Sequence, residues 1–183
     1  ASALSTGRTK LIGLVANNFH NPIFLEVFDL FTRGLQDRGL RPLLINLTDE
    51  TDPAQSVQLL RQYSVAGVIV ASSTLAPDFA PAFREAGMPV VHSFGRVREA
   101  ARVHVVGIDN VACGRMAADT LLARGYRRIG FLGGPKSATS TQDRLAGFAE
   151  RGGPAIVSQT YATAYSFDAG RAEMTRLLQR DRA

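Results

Sequence analysis

The chain has 183 residues, 45% hydrophobic and 20% charged, which suffices for one ordinary domain or two small lobes around a sizeable core. That composition excludes intrinsic disorder as the main state, no apolar run approaches the ~20 residues of a membrane helix, and the single cysteine, Cys113, excludes an internal disulfide and a cysteine-rich zinc site. The net charge of +5 does not mark a nucleic-acid face: residues 1–125 carry 12 basic and 11 acidic side chains, residues 126–183 carry 9 and 5, and the arginines are interleaved with acids.

The opening residues lack the charged start and apolar centre of a secretory signal. A first strand is expected over Lys10–Ala16. Asn21 then caps a helix with Pro22 at its first position, where a missing N–H costs little. Ile23, Val27, Phe31 and Leu35 fall four apart on one face, and Gly39 is the stop. A second strand follows over Arg41–Asn46. Asp52-Pro53-Ala54-Gln55 reads as a capping box opening the second helix. Ala66–Ala71 is the third strand, and Phe79 and Phe83 pair on a third helix ended by Gly87. Pro89–Ser93 and Val103–Ile108 are strands four and five. Asp109 or Asn110 opens a fourth helix with a Cys113, Ala117, Leu121 stripe, ended by Gly125. Arg127–Leu132 is a strand, a fifth helix starts near Ser140 or Thr141, Ala155–Gln159 is a strand, and Ser166 caps a sixth helix. The strand runs are apolar rather than alternating, which suits strands buried on both faces of a parallel sheet. Strands alternating with helices imply right-handed βαβ units. The rhythm calls for another strand after the last helix, so the chain is expected to continue beyond Ala183.

Doubly wound sheets bind ligands beyond the carboxyl ends of their strands. Four loops are placed there: Asn17–Asn21, Phe94–Arg98, Asp109–Asn110 and Gly133–Arg144. Asp109 has two roles open to it, a helix N-cap and a carboxylate accepting hydrogen bonds from ligand hydroxyls. Arg144 gains nothing from a helix N-terminus. It is either half of a surface pair with Asp143 or Glu150, or a forked donor for adjacent hydroxyls or a carboxylate. Asn17, Asn18 and His20 are turn chemistry or polar ligand contacts. Phe24 and Tyr165 are core rings or ligand platforms. Gly133-Gly134-Pro135 lacks the spacing of a phosphate loop, so the glycines at 130–134 are expected to permit tight turns. No serine-nucleophile elbow occurs, and His20, His92 and His104 have no metal spacing. His92 reads as a satisfied core residue and Cys113 as a buried structural thiol. No enzyme chemistry, metal or cofactor is expected.

Five segments carry a resemblance. They are Ala3 through Gly13, Asn21-Pro22-Ile23-Phe24, Gly107-Ile108-Asp109-Asn110 with Gly114 and Ala117, Gly125 through Gly134, and Arg144-Leu145-Ala146-Gly147-Phe148. In this order and spacing the chain resembles the effector-binding core of LacI/GalR-family bacterial transcriptional regulators. The resemblance implies an α/β fold of two Rossmann-like subdomains, parallel sheets flanked by helices as in type I periplasmic binding proteins, with the second incomplete. It implies a hinge remnant over residues 1–9, a first subdomain over 10–125 and a partial second over 126–183. By position it assigns effector contacts to Asn17, Asn18, His20, Phe24, Asp109, Ser140, Arg144 and Tyr165. It matches Leu4 to the hinge leucine that wedges into the DNA minor groove.

The implied partners are a small polar effector such as a sugar, a second copy of the chain through the first helix, and operator DNA through a helix-turn-helix headpiece lying outside these residues. A cytoplasmic protein with no membrane partner follows. The chain departs from the family pattern at Tyr126, where histidine is usual, at Phe94, where an aspartate often follows the fourth strand, and in a short Ala149–Ile156 segment. The rival is a periplasmic sugar-binding protein of an ABC transporter, which would have no use for the Leu4 to Thr9 segment.

Overall fold

The computed structural model describes residues 9–17, 19, 21–47, 52–76, 78–96 and 103–180. It divides into two compact units, Ala1–Gly107 and Ile108–Ala183.

The first unit is a parallel sheet of β1 (Leu11–Ala16), β2 (Arg41–Asn46), β3 (Gly67–Ala71), β4 (Val90–Ser93) and β5 (His104–Val106), in the order β2-β1-β3-β4-β5. Each strand lies within two residues of its expected range. Successive residues of β1 feed opposite faces, as the pleat requires. Val15 joins one core with Leu60, Val70, Phe79 and Phe83. Leu14 and Ala16 join the other with Phe24, Phe28 and Ala71. Gly13 belongs to the first face: a Cβ there would lie 2.8 Å from Leu60 Cδ2, so its absence seats a fully buried leucine on the strand.

Three helices cover the two faces: α1 (Pro22–Asp37), α2 (Pro53–Gln62) and α3 (Phe79–Glu85). Asn21 caps α1, its side chain accepting from Ile23 N at 3.2 Å, and Asp52 caps α2, accepting from Ala54 N at 3.0 Å. Gly39 and Gly87 end α1 and α3 with φ of +68° and +77°, the left-handed stops the sequence calls for. The packed face of α1 differs from the expected stripe by one residue: Phe24 and Phe28 are buried, while Ile23 is 62% exposed. The sheet takes the two rings because they remove more apolar area from water than isoleucine does.

The second unit holds α4 (Asn110–Ala123), β6 (Ile129–Gly133), α5 (Thr139–Gly152), a 3₁₀ turn at Gly153–Ala155, β7 (Ile156–Tyr161) and α6 (Phe167–Arg180). Strands β6 and β7 pair in parallel, with an irregularity between Ile129 and Gly130. The boundary falls at 107/108 rather than at the expected 125/126, because α4 packs on α5. Two glycines make that packing. A Cβ on Gly114 would strike the Arg144 carbonyl and lie 2.8 Å from Phe148 N; one on Gly147 would strike the Val111 carbonyl and lie 3.0 Å from Arg115 N. The helix backbones therefore meet without side chains between them. This also corrects the expected α4 stripe: Gly114 and Ala118 are buried, Ala117 is exposed and Cys113 is only half-buried. Exposed pairs Arg115–Glu150 and Arg151–Asp119, each 2.8 Å, flank the crossing. The Asp119 carboxylate raises the Arg151 guanidinium pKa, but water screens such exposed pairs and they stabilise little.

Gly130, Gly133 and Gly134 have no positive φ, so no left-handed backbone requires glycine there. They make room instead: a Cβ on Gly130 would lie 2.6 Å from Ser158 Oγ, and one on Gly134 would overlap the Tyr165 ring.

Candidate functional site

The order of the first sheet reverses at β1, so β1 and β3 leave it at the switch point where doubly wound folds place ligands. Ala16, Ala71 and Ser93 form the last paired row across β1, β3 and β4. The next residues on those strands are Asn17, Ser72 and Phe94.

Ser72 is the centre of a polar cluster and is 1% exposed. Its Oγ accepts from Thr74 N at 3.1 Å and Leu75 N at 3.3 Å, and donates to Asn17 Oδ1 at 2.7 Å. With both lone pairs taken by the two amides, the Ser72 proton goes to Asn17 Oδ1, the nearer acceptor, rather than to Thr74 Oγ1 at 3.4 Å, and that fixes the Asn17 amide. Asn17 Nδ2 then donates to Thr74 Oγ1 at 2.7 Å, so the Thr74 proton is turned away from Asn17. His92 Nε2 lies 3.0 Å from the Ser72 carbonyl oxygen, which matches the expectation of a satisfied histidine. Ser72→Ala removes the partner of three groups at once. We expect a loss of about 2 kcal/mol in urea unfolding, whereas an isolated surface hydroxyl costs almost nothing.

Phe24 is buried, 6.0 Å from the Phe28 ring and 4.8 Å from the Phe94 ring. Its burial fits the core reading, one of the two roles open to it. Asn18, His20 and Leu4 lie outside the described residues.

In the second unit Asp109 is the N-cap of α4. Its Oδ1 accepts from Ala112 N at 2.9 Å, and its second oxygen has no partner among the described residues. Arg144 takes neither expected acidic partner. Its Nε donates to Asn110 Oδ1 at 2.9 Å, while Glu150 is held by Arg115. The bond fixes the guanidinium plane and leaves both Nη groups without a described protein partner, a planar fork open to solvent or ligand. Ser140 Oγ and Thr141 Oγ1 lie 2.7 and 2.9 Å from Tyr165 OH. Helix α5 begins at Thr139 on Ala138, with no side-chain cap, one to two residues before the expected start.

Asp109 and Arg144 thus stand on adjoining helices with Asn110 between them, and Ser140 and Tyr165 form a second pair. Ser72, Thr74, Asn110 and Thr141 were not among the expected site residues. A signal existed for the first two, since Ser72-Ser73-Thr74 is a polar run directly after an apolar strand. Among the described residues no cluster of three His, Cys, Asp or Glu could hold a metal ion, and no helix is long and apolar enough to cross a membrane.

Comparison with known proteins places these features in context. Residues 9–152 match the family model for periplasmic binding proteins and the sugar-binding domain of the LacI family. The chain is 30% identical to the transcriptional regulator DegA of Bacillus subtilis over 99% of its own length and 56% of the regulator's. It is 33% identical to the regulator PtxS of Pseudomonas plecoglossicida over 81% of the chain and 44% of that protein. It therefore spans about half the length of the curated relatives it matches. Among solved structures, the Cra dual regulator of Pseudomonas putida in complex with fructose 1-phosphate superposes with a TM-score of 0.80 at 26% identity, over 94% of this chain and 65% of that one. A CelR–cellobiose complex gives a TM-score of 0.76 at 26% identity, over 94% and 56%. The chain belongs to the family of periplasmic binding proteins and LacI-type sugar-binding domains.

Proposed function

We propose that the chain is the effector-binding and dimerisation core of a bacterial LacI-type transcriptional regulator, acting in the cytoplasm on a sugar or related polar metabolite. One observation carries this reading: nearly the whole chain aligns with a transcriptional regulator at 30% identity. The geometry supports it. Each unit carries polar groups ready for a polyhydroxylated ligand: the Asn17–Thr74 pair in the first, and Asp109, Arg144, Ser140 and Tyr165 in the second. A carboxylate oxygen and a guanidinium fork without protein partners among the described residues suit adjacent hydroxyls. No catalytic role is assigned to any of them.

The mechanism is a two-state switch. An effector that binds one state of the protein more tightly shifts the population toward it by that differential affinity, and operator affinity follows. Operator contact is assigned to a helix-turn-helix headpiece outside these residues, with Leu4 in its hinge. The test uses the complete gene product and DNA from its own promoter region. Effector addition is expected to change operator affinity at least ten-fold by fluorescence anisotropy. Sugar binding with no effect on any DNA would move the chain to the rival reading, a periplasmic binding protein.

Dimerisation is assigned to α1. Ile23 and Leu30, seven residues apart and so on one face of that helix, are 62% and 59% exposed, an apolar surface that a second copy would cover. Sedimentation is expected to give twice the chain mass at micromolar concentration. Leu30→Asp is expected to return the monomer, and a wild-type monomer at that concentration would refute the assignment.

A further inference from the structure

Phe94 has a φ of +68°, a conformation that bulky L residues rarely adopt. Several features hold it there. Phe94 N donates to Val106 O at 2.9 Å. Gly95 leaves room for the His92 ring, which a Cβ would approach to 2.6 Å, and Gly107 leaves room for the Gly95 carbonyl at 3.0 Å. The result of this turn is that the Phe94 ring lies over Phe24, with centroids 4.8 Å apart and planes inclined by 36°. Phe24 beneath it is 5% exposed, whereas Phe94 is only half-buried. Phe94 is therefore the more exposed of the two stacked aromatic residues at this end of the sheet. Asn17 and Ser72 follow the same strand row as Phe94, so amide, hydroxyl and aromatic face stand on three neighbouring strands. Carbohydrate sites commonly need both kinds of surface, a ring for the apolar C–H face and hydrogen-bonding groups for the hydroxyls.

Resting on the effector-binding reading above, we propose that Phe94 is the specificity-determining platform of this site. Its ring takes the C–H face of a sugar ring, and Asn17 and Thr74 take hydroxyls at the sugar's rim. A carboxylate in place of Phe94 would instead hydrogen-bond a hydroxyl edge-on, so the ring selects for ligand shape.

The test is calorimetric titration of the full chain with D-ribose, D-fructose, fructose 1-phosphate and cellobiose. Wild type is expected to bind at least one of them. Phe94→Asn suits the positive φ but has no ring, and is expected to weaken that binding at least ten-fold. Phe94→Tyr is expected to stay within three-fold. Circular dichroism controls for the fold. If Phe94→Asn does not fold, Phe94→Leu against Phe94→Tyr decides, with the leucine variant at least five-fold weaker. Equal affinities in the deciding comparison would overturn the platform role and leave the effector reading standing. A wild type that binds none of the four sugars would overturn both.

Discussion

Replacing Gly147 with valine is expected to destabilise the second unit by about 3 kcal/mol or more, enough to remove much of a typical domain's stability. The reason is that the obstruction is backbone. A Cβ at position 147 meets the Val111 carbonyl group and Arg115 N on α4, and one at Gly114 meets the Arg144 carbonyl and Phe148 N on α5. A flexible side chain could rotate away, but two helix backbones can only move apart. Separation would uncover Ala118 and Phe148, which with Ile129 form the core of this unit. Gly114→Val is expected to behave the same way. Gly170 is the control. It also lies in a helix, α6, but a Cβ there meets nothing within 4 Å, so Gly170→Ala is expected to stabilise by about 0.5–1 kcal/mol. Urea unfolding followed by circular dichroism measures all three. Similar midpoints for Gly147→Val and wild type would mean that the helices do not cross as described.

Arg144→Ala is expected to cost roughly ten- to hundred-fold in effector affinity, the worth of a charge-assisted forked hydrogen bond of about 1.5–3 kcal/mol, with a melting temperature near that of wild type. The side chain is exposed and its one described protein bond is to Asn110, so little of the fold depends on it. Arg144→Lys is expected to recover only part of the loss, because an ammonium keeps the charge but not the planar fork. Calorimetry with the bound sugar reads the effect, and unchanged affinity in Arg144→Ala would remove Arg144 from the site. The two predictions also divide the Arg144-Leu145-Ala146-Gly147-Phe148 run by physical role. Gly147 and Phe148 build the helix pair, and Arg144 rides on it.

What the sequence made legible follows from where its signals are local. The apolar strand runs, the Asn21-Pro22 and Asp52-Pro53 helix starts, and the glycine stops at 39, 87 and 125 each depend on a few neighbouring residues, and these elements are found at or near their expected positions. The family and the two-part α/β fold were legible for the same reason, since five short segments carry them in order. What escaped depends on tertiary packing. The faces of α1 and α4 are rotated from expectation because the larger rings win the sheet and because a glycine admits a second backbone, and neither is visible in helical spacing alone. The division at Gly107 escaped because α4 follows its contacts rather than its chain neighbours. The Ser72 cluster was within reach, since the switch-point rule applies to the end of β3 as much as to the end of β1.

The most direct test of the account is thermal unfolding of this chain across a panel of sugars and related polar metabolites at millimolar concentration. A ligand present at about 100 times its dissociation constant adds about 2.7 kcal/mol to the state that binds it, a shift of several degrees. The account predicts such a rise for at least one member of the panel, and its disappearance in Arg144→Ala. A flat response across the whole panel, or a rise that survives in Arg144→Ala, would contradict it.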